Sequence, residues 1–303
     1  ADYTASLFIF ADVEYEARSA RILYDGRVSA ENLPANPEPM PDTPVPFIRD
    51  AFVQPYRMEG QVIITWITNF PDACRIRIGD TAKDVNAESV AEGYFSYHAI
   101  MEAPLGGSYS YTIEGKGGAS LTKSFSVPDN TRFLIAGDPQ IIDEPSAQTW
   151  YQVQNILNPL PALIISMGDQ VDAIADPQVR KTQYTLFTGH HSVPVATVRG
   201  NHDKNEHYFG HFGLPNARDG NFHFMHKGVL FIGIDTNNLN YQFHIDCIRN
   251  ALAGSVYDWA VLLMHHSLYA SSKAGITDKV NTLRDGISDF IVKETDIALV
   301  PVS

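Results

Sequence analysis

Four short polar motifs each follow an apolar run, and this repeated arrangement restricts the fold more than any other feature of the chain. The runs occupy residues 133–136, 162–167, 193–199 and 259–264. The motifs that close them are Gly137-Asp138-Pro139-Gln140, Gly168-Asp169-Gln170-Val171-Asp172, Gly200-Asn201-His202-Asp203 and His265-His266. Short, continuous apolar runs read as strands buried on both faces. Each motif then sits at the carboxyl end of its strand, where open α/β sheets bind ligands. Carboxylate, amide and imidazole groups gathered along one sheet edge suit a pair of borderline-hard divalent metals.

Bulk properties narrow the class. A length of 303 residues suggests two domains at about 150 residues each. The 44% hydrophobic content is enough for a sizeable core, and the formal charge of −13 argues against a nucleic-acid partner. That charge is compatible with a small phosphorylated substrate, because bound metals reverse the local field. No apolar run approaches the roughly 20 residues of a membrane-spanning helix. Cys74 and Cys247 are far apart in sequence and read as two free thiols. The chain opens at Ala1 without Met, which we read as a processed or trimmed start.

The organisation along the chain is uneven. Residues 1–46 form an N-terminal extension with strand-like stretches in 1–30. A connector follows with Pro34, Pro37, Pro39, Pro41, Pro44 and Pro46, too many for helix or ladder pairing. Residues 47–127 hold short alternating runs bounded by turn residues, the pattern of a small β-sandwich. Trp66, Tyr109 and Tyr111 are its expected core, and we read the unit as a packing or accessory domain. Residues 128–303 alternate strands with expected helices at 145–157, 177–187 and 281–293, an α/β pattern. Pro145 and Pro177 suit first-turn positions.

The motif residues divide by chemistry. Asp169 is the candidate carboxylate to bridge two metals, with Asp172 either capping a helix or orienting a neighbour. Asn201 supplies a neutral oxygen ligand. His202 is then free to act on substrate as a general acid or a hydrogen-bond donor to phosphate, and Asp203 is expected to hold its ring in one tautomer. Neighbours on a strand point to opposite sides, so one of His265 and His266 is expected to bind metal. His207 and His211 have helix-face spacing, but Gly210 weakens that helix. No nucleophile elbow, Walker loop or dinucleotide glycine fingerprint is present.

These motifs, in this order, resemble the calcineurin-like metallophosphoesterase superfamily. Its pattern is Asp-x-His, Gly-Asp-x-x-Asp, Gly-Asn-His-Asp or -Glu, a His after an apolar strand, and Gly-His-x-His. The preceding β-segment resembles the fibronectin-III-like domain of purple acid phosphatases. The resemblance covers roughly residues 47–300. It implies an α/β, four-layer αββα metallophosphoesterase sandwich preceded by an all-β sandwich. It also implies hydrolysis of phosphomonoesters or small phosphodiesters with two divalent metal ions (Mn, Fe or Zn). Asp138 and Gln140 would bind the first metal, Asp169 would bridge, Asn201 and His265 would bind the second, and His202 would contact the phosphate or leaving group.

Three positions depart from the pattern. Gln140 stands where the family has His. Asp172 stands where purple acid phosphatases carry the metal-bound tyrosine behind their colour, so a colourless protein is expected. No Gly-His-x-His follows the strand-like run 296–300, and the expectation is that a segment carrying it is omitted or removed. A catalytically silent binding or cell-surface protein on the same scaffold is the second reading. The resemblance implies an extracellular, cell-surface or periplasmic location.

Overall fold

Alternation of apolar and polar residues builds the first half of the molecule. The computed structural model describes residues 45–89, 93–155, 158–172, 176–212, 219–268 and 278–294. The stretches read in 1–30, most of the Pro-rich connector and the run 296–300 lie outside these residues. Eight strands come first: β1 (Ile48–Pro55), β2 (Gln61–Thr68), β3 (Cys74–Ile78), β4 (Thr81–Val85), β5 (Glu88–Ser89), β6 (Phe95–Glu102), β7 (Gly107–Glu114) and β8 (Ser120–Val127). They form two four-stranded antiparallel sheets, ordered β1-β2-β6-β5 and β4-β3-β7-β8. Val62, Ile64, Trp66, Ile76, Tyr111 and Ile113 fill the space between the sheets. Trp66 lies directly opposite Tyr97 across β2 and β6, and their rings stack at 5.3 Å. Tyr109 departs from the expected core position. It lies half-buried at the rim, its hydroxyl donating to the Pro104 carbonyl at 2.6 Å.

The second half is α/β. The strands β9 (Phe133–Ala136), β10 (Leu163–Ser166) and β11 (Val195–Thr197) make a parallel sheet in the order β11-β10-β9. A second sheet has β12 (Phe222–His226) antiparallel to β13 (Val229–Ile234), and β13 parallel to β14 (Trp259–Met264). Lys227 and Gly228 join β12 to β13 with positive φ at both residues, a turn whose twist matches the strands. The helices are α1 (Glu144–Asn155), α2 (Pro177–Thr188), α3 (Asn205–His211), α4 (Tyr241–Ala253) and α5 (Asp278–Glu294). Asp176 caps α2 by accepting from Gln178 N at 2.8 Å, with Pro177 in the first turn as the sequence suggests.

The period of two along β13 sorts the layers. Phe231 faces the parallel sheet and meets Phe133 edge-on at 5.0 Å. Leu230, Ile232 and Ile234 face outward onto Ile245, Ile248, Ile287 and Phe290 of α4 and α5. Ala147, Trp150, Tyr184 and Phe187 of α1 and α2 belong to the core of the parallel sheet. The result is helix, sheet, sheet, helix. The sequence reading passes over α4, β12 and β13, and α3 forms over the His207–His211 spacing despite Gly210. For α4 a signal is present: Asn240 caps Phe243 N, and Ile245, Ile248 and Ala251 recur at helical spacing.

The two halves share a buried face. β2 is buried on both sides, because its outer face meets the α/β half, where the Thr65 hydroxyl donates to the His211 carbonyl at 2.5 Å. A β-bulge in β1 between Arg49 and Phe52, with Asp50 at φ 56°, re-aims side chains toward that half. Phe52 leaves the sandwich core and packs against Phe212 (5.1 Å), Phe187 (5.7 Å) and His191 (4.8 Å). His191 accepts from Val53 N through Nε2 at 3.2 Å, so its ring must stay neutral there. Burial pushes its pKa down to about 3.

Phe52→Ala should destabilise the chain by about 3–5 kcal/mol, as for other buried aromatics, read from denaturant midpoints. His191 gives a pH signature. Between pH 6.5 and about 3 the unfolded ring takes a proton that the folded ring refuses, so stability should fall as pH drops through that window. Thermal melts of the wild type and of His191→Gln should show a smaller acid-side fall in the variant.

Candidate metal centre

All four motifs lie at the carboxyl ends of β9, β10, β11 and β14. Pairing beyond the strands locks the first two loops together: Gln140 N donates to Asp169 O (2.9 Å) and Ile141 N to Gln170 O (3.0 Å). The backbone is held in unusual conformations here. Among the described residues five non-glycines have positive φ, and Asp138 (45°), Gln140 (40°) and Asp169 (50°) are three of them. Such concentration marks a region whose geometry is imposed by its surroundings.

Two glycines allow the closest approaches. A Cβ on Gly168 would sit 2.3 Å from His265 Nδ1, and one on Gly200 would sit 2.0 Å from Asp169 Oδ1. Ligand atoms of Asp138, Asp169 and His265 all lie within 4.8 Å of one another. The Asp138 carboxylate is open to solvent at 61% side-chain exposure, while Asp169 is buried. His265 Nδ1 sits 2.9 Å from the Met167 carbonyl and donates to it. Nε2, left as the lone-pair nitrogen, faces Asn201 Oδ1 at 3.1 Å and Asp169 Oδ1 at 3.5 Å. Acceptors facing one another around carboxylates, an amide oxygen and an imidazole nitrogen are what a divalent cation reconciles, so these residues fit the expected metals. Gln140 is adjacent, its amide 3.4 Å from Asp169 Oδ2.

His202 stands at the same edge. Its backbone N–H donates to Asp169 Oδ1 at 2.8 Å, and its ring Nδ1 meets Asp172 Oδ1 at 3.1 Å. The expectation that Asp203 holds this ring is corrected: Asp172 occupies that role, and Asp203 points the other way. Asp203 is enclosed beneath the loops, accepting from Gly200 N (2.9 Å), Gln170 N (3.4 Å) and the Tyr184 hydroxyl (3.0 Å). Burial pushes its carboxyl up to about 6, against the lowering effect of those donors.

The other histidines separate cleanly. His266 meets the His265 ring edge-on at 4.9 Å and pairs through Nδ1 with the Thr236 hydroxyl at 2.7 Å. Burial holds its pKa below the usual value. Of the helix-spaced pair, His211 binds Asp50 at 3.0 Å and so serves the contact between the halves. One cluster escapes the sequence reading. Asp235 accepts from Arg199 Nη1 at 2.6 Å, and Asn237 donates to the Gly200 carbonyl at 3.2 Å, bracing the third motif from the second sheet. The signal is in the text: the apolar run of β13 also ends in polar residues, Asp235-Thr236-Asn237.

Comparisons with known proteins agree with this fold. Among solved structures, a purple acid phosphatase from yellow lupin (Lupinus luteus) seeds superposes with a TM-score of 0.58 at 16% identity, over 75% of this chain and 52% of that one. The likeness is one of fold, and the chain spans about half the length of that structure. A carbohydrate acetylesterase from Xanthomonas citri (10% identity, 82% of this chain, 75% of that one) reaches a TM-score of only 0.27, too low to carry an argument. No curated protein matches significantly. The calcineurin-like phosphoesterase family profile matches residues 131–300, more than half of the 303. The chain therefore belongs to the calcineurin-like phosphoesterase family.

Proposed function

We propose that the protein is a metal-dependent hydrolase that cleaves phosphomonoesters or small phosphodiesters at a dinuclear centre. The observation that carries this reading is the convergence of Asp138, Asp169 and His265 within 4.8 Å, with Asn201 against His265. In this reading Asp169 is the bridging carboxylate, and Asp138 with Gln140 completes one position. Asn201 and His265 complete the other. Metals bound there would supply a water of lowered pKa and neutralise charge on the phosphoryl oxygens.

The chain's own groups do the rest. The Met167 carbonyl fixes the His265 tautomer so that Nε2 faces inward. Asp172 orients the His202 ring, whose far nitrogen lies 3.8 Å from Asp169 Oδ2 at the metal edge and would donate a hydrogen bond to a phosphoryl oxygen or a proton to the leaving group. With an aspartate in place of a metal-bound tyrosine, the holoprotein is expected to be colourless. Residues 47–127 act as a fibronectin-III-like partner domain to the catalytic residues 128–303. By resemblance, the protein works outside the cytoplasm, secreted or at the cell surface.

The test pairs elemental metal analysis with hydrolysis of an aryl phosphate. Asn201→Ala should lower both metal content and turnover. The loss of turnover should be at least as large as the roughly 10–100-fold typical of outer-shell changes. Unaltered hydrolysis in that variant would sink the dinuclear assignment. A wild type that binds metal yet hydrolyses no phosphoester would favour the silent-scaffold reading.

A further inference from the structure

A buried chain of side chains runs from the β-sandwich to the metal loops. It begins at Asp50, in the β1 bulge, whose side chain is fully enclosed. Asp50 Oδ2 accepts from the Thr185 hydroxyl at 3.1 Å and pairs with His211 Nε2 at 3.0 Å. The opposite ring nitrogen of His211 meets the His207 carbonyl at 2.9 Å, so the ring is gripped from both ends. Its flat face lies on the Tyr184 ring, with centroids 4.7 Å apart and planes 18° from parallel. The Tyr184 hydroxyl donates to Asp203 Oδ1 at 3.0 Å. The other Asp203 oxygen accepts from Gly200 N and Gln170 N.

Those last two residues adjoin Asn201 and Asp169. One carboxylate therefore sets the spacing of both loops, and its outer oxygen is aimed by Tyr184. A parallel contact pins the same strand end. Gln54 of β1 donates to the Thr197 hydroxyl at 3.1 Å, and Tyr208 donates to the Thr197 carbonyl at 2.9 Å.

We propose that the β-sandwich is a working part of the metal centre, with Asp50, His211 and Tyr184 as positioning residues that set Asn201 and Asp169 through Asp203. The proposal rests on the phosphoesterase reading above. It contradicts the expectation of a mere accessory domain, because the sandwich contributes the first member of the chain. Outer-shell partners of this kind typically change metal affinity 10–100-fold when removed.

The experiment uses the full chain with Mn²⁺ as the probe. Tyr184→Phe deletes one oxygen and keeps the ring stack. Asp50→Ala breaks the chain in the other half, whereas Asp50→Asn keeps an acceptor and tolerates the left-handed backbone. Titration calorimetry should show Mn²⁺ binding weakened about 10-fold or more in Tyr184→Phe and Asp50→Ala, with near wild-type binding in Asp50→Asn. Hydrogen exchange in chelator should accelerate at the Gly200 and Gln170 amides of the two weakened variants, a local change that a general loss of stability does not mimic. Turnover of an aryl phosphate should fall through kcat, with KM little changed. Wild-type affinity and exchange in Tyr184→Phe and Asp50→Ala would overturn the relay and leave the phosphoesterase reading standing. Equal losses in Asp50→Asn and Asp50→Ala would also overturn it. A wild type that takes up no Mn²⁺ would remove both.

Discussion

The enclosed Asp203 carboxylate is the contact on which the arrangement of the metal loops depends. Two strand ends, from β10 and β11, turn their backbone N–H groups inward beneath the loops, and a buried amide without an acceptor is costly. Asp203 accepts both, at 2.9 Å from Gly200 N and 3.4 Å from Gln170 N. The close approach works because Gly200 has no Cβ to strike Asp169. Opposing effects meet at this group. Burial raises its pKa, the donors lower it, and burial is the larger effect.

The surroundings of that carboxylate are unusually acidic. Asp138, Asp169, Asp172 and Asp235 lie on the loops around it, in a chain with a formal charge of −13. Arg199 answers part of this, bonding Asp235 at 2.6 Å and the Asp203 carbonyl at 3.0 Å. The facing acceptors of Asp169, Asn201 and His265 remain on the open side. In the proposed function, divalent cations bound there would reverse the sign of the field at the place where a phosphate must arrive.

The sandwich and the α/β half are joined by packing as well as by hydrogen bonds. Phe52 enters the α/β core among Phe187 and Phe212, and Lys123 bridges the Ala51 and Thr188 carbonyls at 3.0 and 3.3 Å. The bulge in β1 makes this possible. An uninterrupted period of two would keep its side chains in regular alternation between the faces of the sheet.

Much of the fold was legible in the sequence, and so was the gathering of Asp138, Asp169 and His265 at one sheet edge. Apolar runs ending in Asp138, Asp169, Asn201 and His265 identify strands and place ligand-type residues at their ends, because alternation, strand length and loop position are local properties of the chain. The same logic, applied to the run before Asp235, reaches the brace around Arg199. Partnership was another matter. That Asp172 rather than Asp203 holds His202, that His266 turns to Thr236, and that His211 answers Asp50 were settled by tertiary structure. Those pairs are up to 161 residues apart. Spacing along a chain carries no information about which distant group closes a hydrogen bond. That depends on how two sheets and a sandwich come to rest against one another.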